Sequence, residues 1–229
     1  MTIDDEFLLP AREAYDLAAA EYDHWQWQNV WRKIEAPHIA NEVRKGPAGA
    51  ILDLGTGTGF YAASLAEAGL TVVGLDISLQ MLLLAQSFMQ HRVPLVQASA
   101  AQIPFRNETF SQVIAARVLS QIDEVDRVFG EVSRILKPGG AFIVSEVDPA
   151  HPYRATALPL GGRKIRVRTF KRTRASLIRR ARSFGSFYVS DQIWIRTRDL
   201  KDEDNMLEPA SLDTTQDLPL AFVLRLVRT

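Results

Sequence analysis

The stretch Ile51–Phe60, ILDLGTGTGF, limits the fold of this chain more than any other. A short apolar run ends in Asp53. Gly55, Gly57 and Gly59 follow, and an alanine-rich amphipathic run then begins. Strand, tight glycine turn and helix in that order open an α/β sheet, and a turn without side chains lets a bound molecule lie directly on backbone. The spacing also discriminates between ligands. A dinucleotide fingerprint, G-x-G-x-x-G, seats a pyrophosphate on the helix N-terminus. Here the glycines alternate, and the third-glycine position of that pattern is Phe60. The turn therefore argues against NAD and for a nucleoside cofactor without phosphates.

The same alternation of apolar strand and helical run continues downstream. Strands are expected at Thr71–Leu75, Val93–Gln97, Thr109–Ala116 and Ala141–Val147, with helices at Tyr61–Ala68, after Ser78 through Leu82–Met89, and at Asp123–Leu136. Ser78 is placed to cap its helix, and Lys137-Pro138-Gly139-Gly140 to stop the last one. Such a pattern predicts an α/β fold: a doubly wound, mostly parallel sheet with helices on both faces. Upstream, Ala11–Val43 reads as helix, rich in Ala, Glu and aromatics. Beyond Asp148 the order changes: Lys164–Thr169 alternates, Thr173–Phe184 is helical, and Phe187–Arg196 and Ala221–Val227 read as strands.

The 229 residues suit one large α/β domain with additions. The expected division is an N-terminal helical cover (1–46), a core (47–148), an insertion after the fifth strand (149–172) and the end of the sheet (173–229). No apolar run has transmembrane length, and the acidic start MTIDDEFLLP lacks the basic-then-apolar order of a secretory signal, so a cytoplasmic location with no membrane partner is expected. The absence of cysteine excludes disulfides, thiolate metal sites and a cysteine nucleophile. The formal net charge of +0 conceals an uneven distribution. No Asp or Glu occurs from Pro149 to Ser190, where eleven Lys and Arg fall between Arg154 and Arg182; an acidic run from Asp199 to Asp217 follows.

Asp53-x-Gly55-x-Gly57-x-Gly59 resembles motif I of the class I S-adenosylmethionine-dependent methyltransferases, and the resemblance continues through separate motifs, in order, from about Ile51 to Val147. It implies a seven-stranded sheet closed by a final β-hairpin, with S-adenosylmethionine as cofactor and S-adenosylhomocysteine as product. Carried over by position, Asp53 orients the methionine end, Gly55 and Gly57 offer backbone contacts, and Thr56, Thr58 and Gly59 fit the crowded loop. Asp76, at the end of the second strand, accepts from both ribose hydroxyls; its local alternative is an ordinary cap of the next helix. Ile77 and Met81 flank the adenine. The segment Gln97–Phe105 matches the third cofactor motif, but Ser99 stands where an Asp usually accepts from the adenine amine, which weakens that contact by ~1 kcal/mol. Ala100 supplies a backbone N–H. An N-terminal tyrosine, Tyr22, is the candidate for the methionine carboxylate.

For the reaction, positioning alone can suffice, because a sulfonium is already a strong electrophile. Arg117, past the fourth strand, is a candidate to clamp an acidic acceptor or lower a phenol's pKa; the plain reading is a salt bridge. His151, past the fifth, is the candidate general base or a loop histidine. Gln121 and Tyr153 are substrate candidates. Trp27 and Trp31 share a helix face and either pack or line a pocket. Asp148 with His151 lacks a third ligand, so no metal is expected. The basic stretch either pairs with the acidic run, binds an anionic small molecule, or tracks nucleic acid; its aromatics are not interleaved as stacking platforms. These features together predict methyl transfer to a small molecule, aromatic or anionic. The alternatives are a non-methylating rearrangement or cyclisation with the same cofactor, a nucleic-acid methyltransferase, and a non-catalytic cofactor-binding homologue.

Overall fold

The computed structural model describes residues 8–151, 157–184, 186–200 and 217–229. In chain order the elements are β1 (Leu8–Leu9), α1 (Ala11–Tyr22), α2 (Gln26–Ile34), α3 (Ala36–Lys45), β2 (Ile51–Leu54), α4 (Phe60–Glu67), β3 (Val72–Asp76), α5 (Leu79–Phe88) and β4 (Leu95–Gln97). They continue with β5 (Phe110–Ala116), a 3-10 turn (Leu119–Gln121), α6 (Val125–Ile135), β6 (Leu136–Val147), β7 (Ala157–Leu160), β8 (Arg163–Val167), α7 (Arg174–Ser183), β9 (Phe187–Arg196), a second 3-10 turn (Thr197–Leu200) and β10 (Pro219–Arg228).

Seven strands form one sheet in the order β4-β3-β2-β5-β6-β10-β9. The five from β4 to β6 run parallel, and β10 is antiparallel to both β6 and β9. Neighbouring residues on a strand point to opposite faces, so each central strand feeds two cores. Ile51, Ile114, Ile143 and Val223 pack with α2, α3, α4 and α5. Leu52, Val113, Phe142 and Phe222 pack with α6 and α7, where Phe129 lies edge-on to Phe142 and Phe187. The strand order reverses between β2 and β5. Their C-terminal ends therefore part and leave a crevice, which is where open α/β sheets bind ligands.

Several boundaries differ from the sequence reading for local reasons. The expected helix Ala11–Val43 is three helices. It breaks at Asp23–Trp25, where Trp25 turns extended, and again at Glu35, where Pro37 fits the first turn of α3. Ser78 caps as expected, its hydroxyl accepting from the Met81 amide at 3.1 Å, but the helix starts at once with Leu79. β4 begins at Leu95, after Pro94. The Lys137–Gly140 stretch ends α6 yet stays in the sheet: Leu136 pairs with Phe110, the register shifts, and Ala141 pairs with Gln112. The N-terminal segment, read as purely helical, also gives a strand. β1 pairs parallel with β8, and β8 antiparallel with β7, in a separate three-stranded sheet. Leu158, Ile165 and Val167 of that sheet bury against Ala14 and Ala18 of α1.

Candidate cofactor and acceptor site

The glycine turn owes its shape to two positions of left-handed backbone, only one of which also lacks room for a side chain. Gly55 has φ +72°, and a Cβ there would stand 2.4 Å from a methyl of Val118. Gly57 has φ +54°, but a Cβ there would meet nothing within 4 Å. Both glycines line a cavity of about 320 Å³ at the strand ends, so the space beside Gly57 is room for a ligand rather than packed interior. A smaller cavity of about 50 Å³ shares Tyr22, Gly55, Gly57, Ala116 and Arg117 with the first.

Asp76 lies at the edge of the larger cavity, held by the turn. Its Oδ2 accepts from the Gly57 amide at 2.8 Å and its Oδ1 from the Ser78 amide at 2.9 Å. A carboxylate has about four lone-pair sites, so this orientation leaves capacity for two further donors such as ribose hydroxyls. Burial raises the Asp76 carboxyl, and the amide donors of Ser78 and Gly57 oppose that rise. Ile77, Met81, Ser99 and Ala100 line the same cavity. The Ser99 hydroxyl accepts from the Ala101 amide at 3.2 Å and so shapes its own turn. Together with the bare turn, these groups bound one side of the cavity.

Other sequence candidates lie elsewhere. Asp53 is buried and lines neither cavity; its Oδ2 accepts from the Thr56 hydroxyl at 2.6 Å, so it shapes the loop through Thr56. Burial raises its carboxyl to about 6. Gly59 lines neither cavity and stands at the N-cap of α4. Thr56 lines the smaller cavity, and the Thr58 hydroxyl donates to Asp23 at 2.9 Å. Trp27 is buried and stacked on Trp31 at 5.6 Å between centroids; Trp31 reaches the smaller cavity and Trp27 neither. His151 is buried, lines neither cavity, and is held below the ordinary imidazole value chiefly by burial, with Asp148 opposing. Tyr153 lies outside the described residues, as do Arg154 and most of the acidic run. Of that run, Asp199 and Asp217 pair with Arg196 and Arg198 rather than with the basic stretch.

Arg117 does line both cavities, but its charge is engaged. One guanidinium N–H donates to Glu35, and the guanidinium lies over the Trp31 ring at 4.9 Å. Arg117 has φ +59°, and its amide donates to the Ser145 carbonyl at 2.8 Å. Glu35 also accepts from the Tyr61 hydroxyl and the Ser145 hydroxyl, both at 2.6 Å. Burial pushes the Tyr61 phenol well above its usual value.

Helix α1 closes the cavity from above with the candidate Tyr22 and with Tyr15 and Arg12, which the sequence reading missed. Tyr15 meets Tyr22 edge-on at 5.7 Å and accepts from the side-chain amide of Gln121, which lines the same cavity. Asp16 on the same helix accepts from the Ser78 hydroxyl at 2.6 Å and the Gln80 amide at 3.2 Å, tying α1 to the start of α5. In the sequence, Glu35 and Asp16 look like ordinary acids on helix surfaces; nothing local marks Tyr61, Arg117 and Ser145, which lie 26, 82 and 110 residues from Glu35, or Ser78, which lies 62 from Asp16.

Fold and cradle define a doubly wound α/β protein with an open cavity at the strand ends. Residues 52–144 match the family model described as a methyltransferase domain. A demethylmenaquinone methyltransferase of Streptomyces avermitilis is 34% identical over 141 residues, 61% of this chain and 57% of that protein. The ubiquinone/menaquinone biosynthesis C-methyltransferase UbiE of Syntrophotalea carbinolica is 38% identical over 48% of this chain and 49% of its own length. The chain thus spans about half the length of these curated relatives. A solved Thermotoga maritima protein, described as an S-adenosylmethionine-dependent methyltransferase and possible histamine N-methyltransferase, shares the fold at a TM-score of 0.68 and 19% identity, covering 95% of this chain and 99% of that one. Over residues 52–144 the chain is thus similar to a methyltransferase domain, and its fold is that of solved proteins described as S-adenosylmethionine-dependent methyltransferases.

Proposed function

We propose that this protein binds S-adenosylmethionine in the cavity beside the glycine turn and transfers its methyl group to a small-molecule acceptor by in-line displacement. The observation that carries the reading is the joint between Gly57 and Asp76: an open backbone position beside a carboxylate aimed by that backbone's own amide. When bound, the cofactor supplies an activated methyl on a sulfonium. The chain supplies position and exclusion of water. Asp76 holds the ribose, Ile77 and Met81 flank the base, and the Ser99–Ala100 turn meets its edge. Gly55 and Gly57 carry the middle of the ligand. Tyr22, with Thr56 and Arg117 beside the smaller cavity, meets the methionine end, and Asp53 supports it through Thr56. His151 lines neither cavity, so we assign no base to this reaction.

A small acceptor is favoured because α1 roofs the cavity. We read residues 1–229 as one domain, in which 149–172 is an insertion whose strands brace that roof. The names of the relatives support a quinone-like acceptor, and the largely apolar lining suits a ring. No helix among the described residues is long and apolar enough to cross a membrane.

Calorimetry with S-adenosylmethionine and S-adenosylhomocysteine tests the reading. Micromolar binding, lost by at least about tenfold in Asp76→Ala, is expected from two charge-assisted hydrogen bonds. Absence of binding to either compound by the wild type overturns it. Methyl-labelled cofactor separates methyl transfer from conversion without label.

A further inference from the structure

The small sheet of β1, β8 and β7 packs one face on α1 and turns the other away. Side chains alternate along β8. Ile165 and Val167 point inward, where they bury with Leu158 against Ala14 and Ala18 of α1. Lys164 and Arg166 therefore point outward. Arg168 continues their row, since its amide extends the ladder by donating to the Leu9 carbonyl at 2.8 Å. Successive members of the row stand about 7 Å apart, two residues of extended chain. Residues paired in register share a side, so Leu8 and Ala157 flank Arg166, and Pro159 flanks Lys164. Lys164, Arg168 and Leu8 are exposed, and Arg166 is half-buried.

The charge of this face is unspent. Among the described residues, none of its three cations pairs with an acid, whereas Arg180 and Arg196 elsewhere pair with Asp126 and Asp217. No residue of β1, β7 or β8 is acidic, and none is aromatic. The face also adjoins the cavity. Leu8 and Leu9 lead directly into Pro10, Ala11 and Arg12, which line it.

We propose that the outward face of the small sheet docks this protein on a membrane surface rich in anionic lipid. The row Lys164, Arg166 and Arg168 meets the headgroups, and the exposed Leu8 among them settles against the apolar boundary. A nucleic acid presents negative charge too, but proteins that track a single strand add aromatic platforms for its bases, and these strands carry none. The expectation of no membrane partner came from the lack of a spanning segment, which docking at a surface does not need. The docking follows from the chemistry of the face alone. Its use, to bring an apolar acceptor from the bilayer to the adjoining cavity, rests on the methyltransferase reading above.

The test sediments the full chain, including the acids at 4–6 and 202–213 that lie outside the described residues, with two kinds of vesicle. One is phosphatidylcholine; the other is an equimolar mixture with phosphatidylglycerol. The anionic vesicles are expected to bind about a hundredfold tighter, the scale of three surface cations, and to lose that advantage at about 0.5 M salt. Lys164→Gln, Arg166→Gln and Arg168→Gln each reduce it about fivefold, and the triple variant brings it within about threefold. Melting temperature and S-adenosylhomocysteine affinity stay near wild type. Arg179→Gln with Arg182→Gln removes two charges of the same basic stretch from α7, which packs beside α6, and leaves the preference within about twofold of wild type. Equal binding of both vesicles by the wild type, a preference kept by the triple variant, or one lost as fully by the α7 variant overturns the proposal. Tighter binding of a mixed-sequence RNA than of anionic vesicles, lost in the triple variant, overturns it in favour of nucleic acid. Failure of S-adenosylhomocysteine to bind the wild type overturns the methyltransferase reading instead of the docking face.

Discussion

Arg117 donates from its guanidinium to Oε2 of Glu35, a carboxylate with no exposed surface, which links the end of β5 to the α2–α3 junction. Two hydroxyls, Tyr61 and Ser145, complete the shell around that carboxylate. The arrangement redefines Arg117. A guanidinium already neutralised by a buried partner is a wall of the site rather than a free clamp for an acidic acceptor.

Removing Glu35 strands three donors at once. Glu35→Ala is expected to cost about 3–5 kcal/mol, the range for breaking a buried ion pair from one side. Glu35→Gln, which keeps an acceptor oxygen, costs less. Urea unfolding checks this, and an alanine variant within about 1 kcal/mol of wild type contradicts it.

The two turn glycines are expected to fail in different ways. Gly57→Ala pays only the left-handed backbone penalty, ~1–2 kcal/mol, because its Cβ meets nothing; that Cβ instead occupies ligand space. Gly55→Ala adds a collision with Val118 to the same penalty. Calorimetry and melting together should show Gly57→Ala losing S-adenosylhomocysteine affinity by about tenfold or more with a modest drop in melting temperature. Gly55→Ala should show the larger drop in melting temperature. The reverse ranking would disprove the assignment of space at the turn.

Glu146 sets a pH dependence of stability. It is buried behind the 3-10 turn, and burial raises its carboxyl from 4.5 to about 7. Between those values the folded chain holds a proton that the unfolded chain has released. Stability is therefore fully present below the lower value and declines as pH rises through the higher one, by on the order of 2–3 kcal/mol. Asp53, raised to about 6, acts in the same direction. Glu146→Gln is expected to flatten the fall between pH 4.5 and 7, leaving the part due to Asp53, and to be more stable than wild type at pH 8 (~2 kcal/mol). Melting temperature against pH for both proteins decides it; parallel curves would rule the idea out.

Asp16 fastens the roof. Asp16→Ala removes the acceptor for Ser78 and Gln80, which is expected to cost about 1–2 kcal/mol and to loosen α1. The measurable consequences are faster proteolysis within α1 and faster release of S-adenosylhomocysteine in stopped flow. Unchanged rates in both assays would mean that α1 is held by its apolar contacts with the small sheet alone.

The α/β sheet and its glycine turn were legible because both are local. Ile51–Leu54 and Phe187–Arg196 fall where the apolar pattern places them, and Ser78 caps the helix its spacing indicates. Asp76, Ile77, Met81, Ser99 and Ala100 meet in one cavity because each is attached to a strand end on the same edge of the sheet. The pairing of β1 with β8 was not legible. It joins residues more than 150 positions apart, and a two-residue strand has no periodicity to read.

The alternating glycines determined by themselves that a strand must turn sharply and bare its backbone, since no other residue follows φ values of +54° and +72° so cheaply. What the turn faces was decided only by the tertiary structure. The roof α1, the Glu35–Arg117 pair and the Tyr15–Gln121 contact all bring together side chains from distant segments. A hydrogen bond depends on where two groups lie in space, and composition and spacing along a chain carry that only within a single helix, strand or turn.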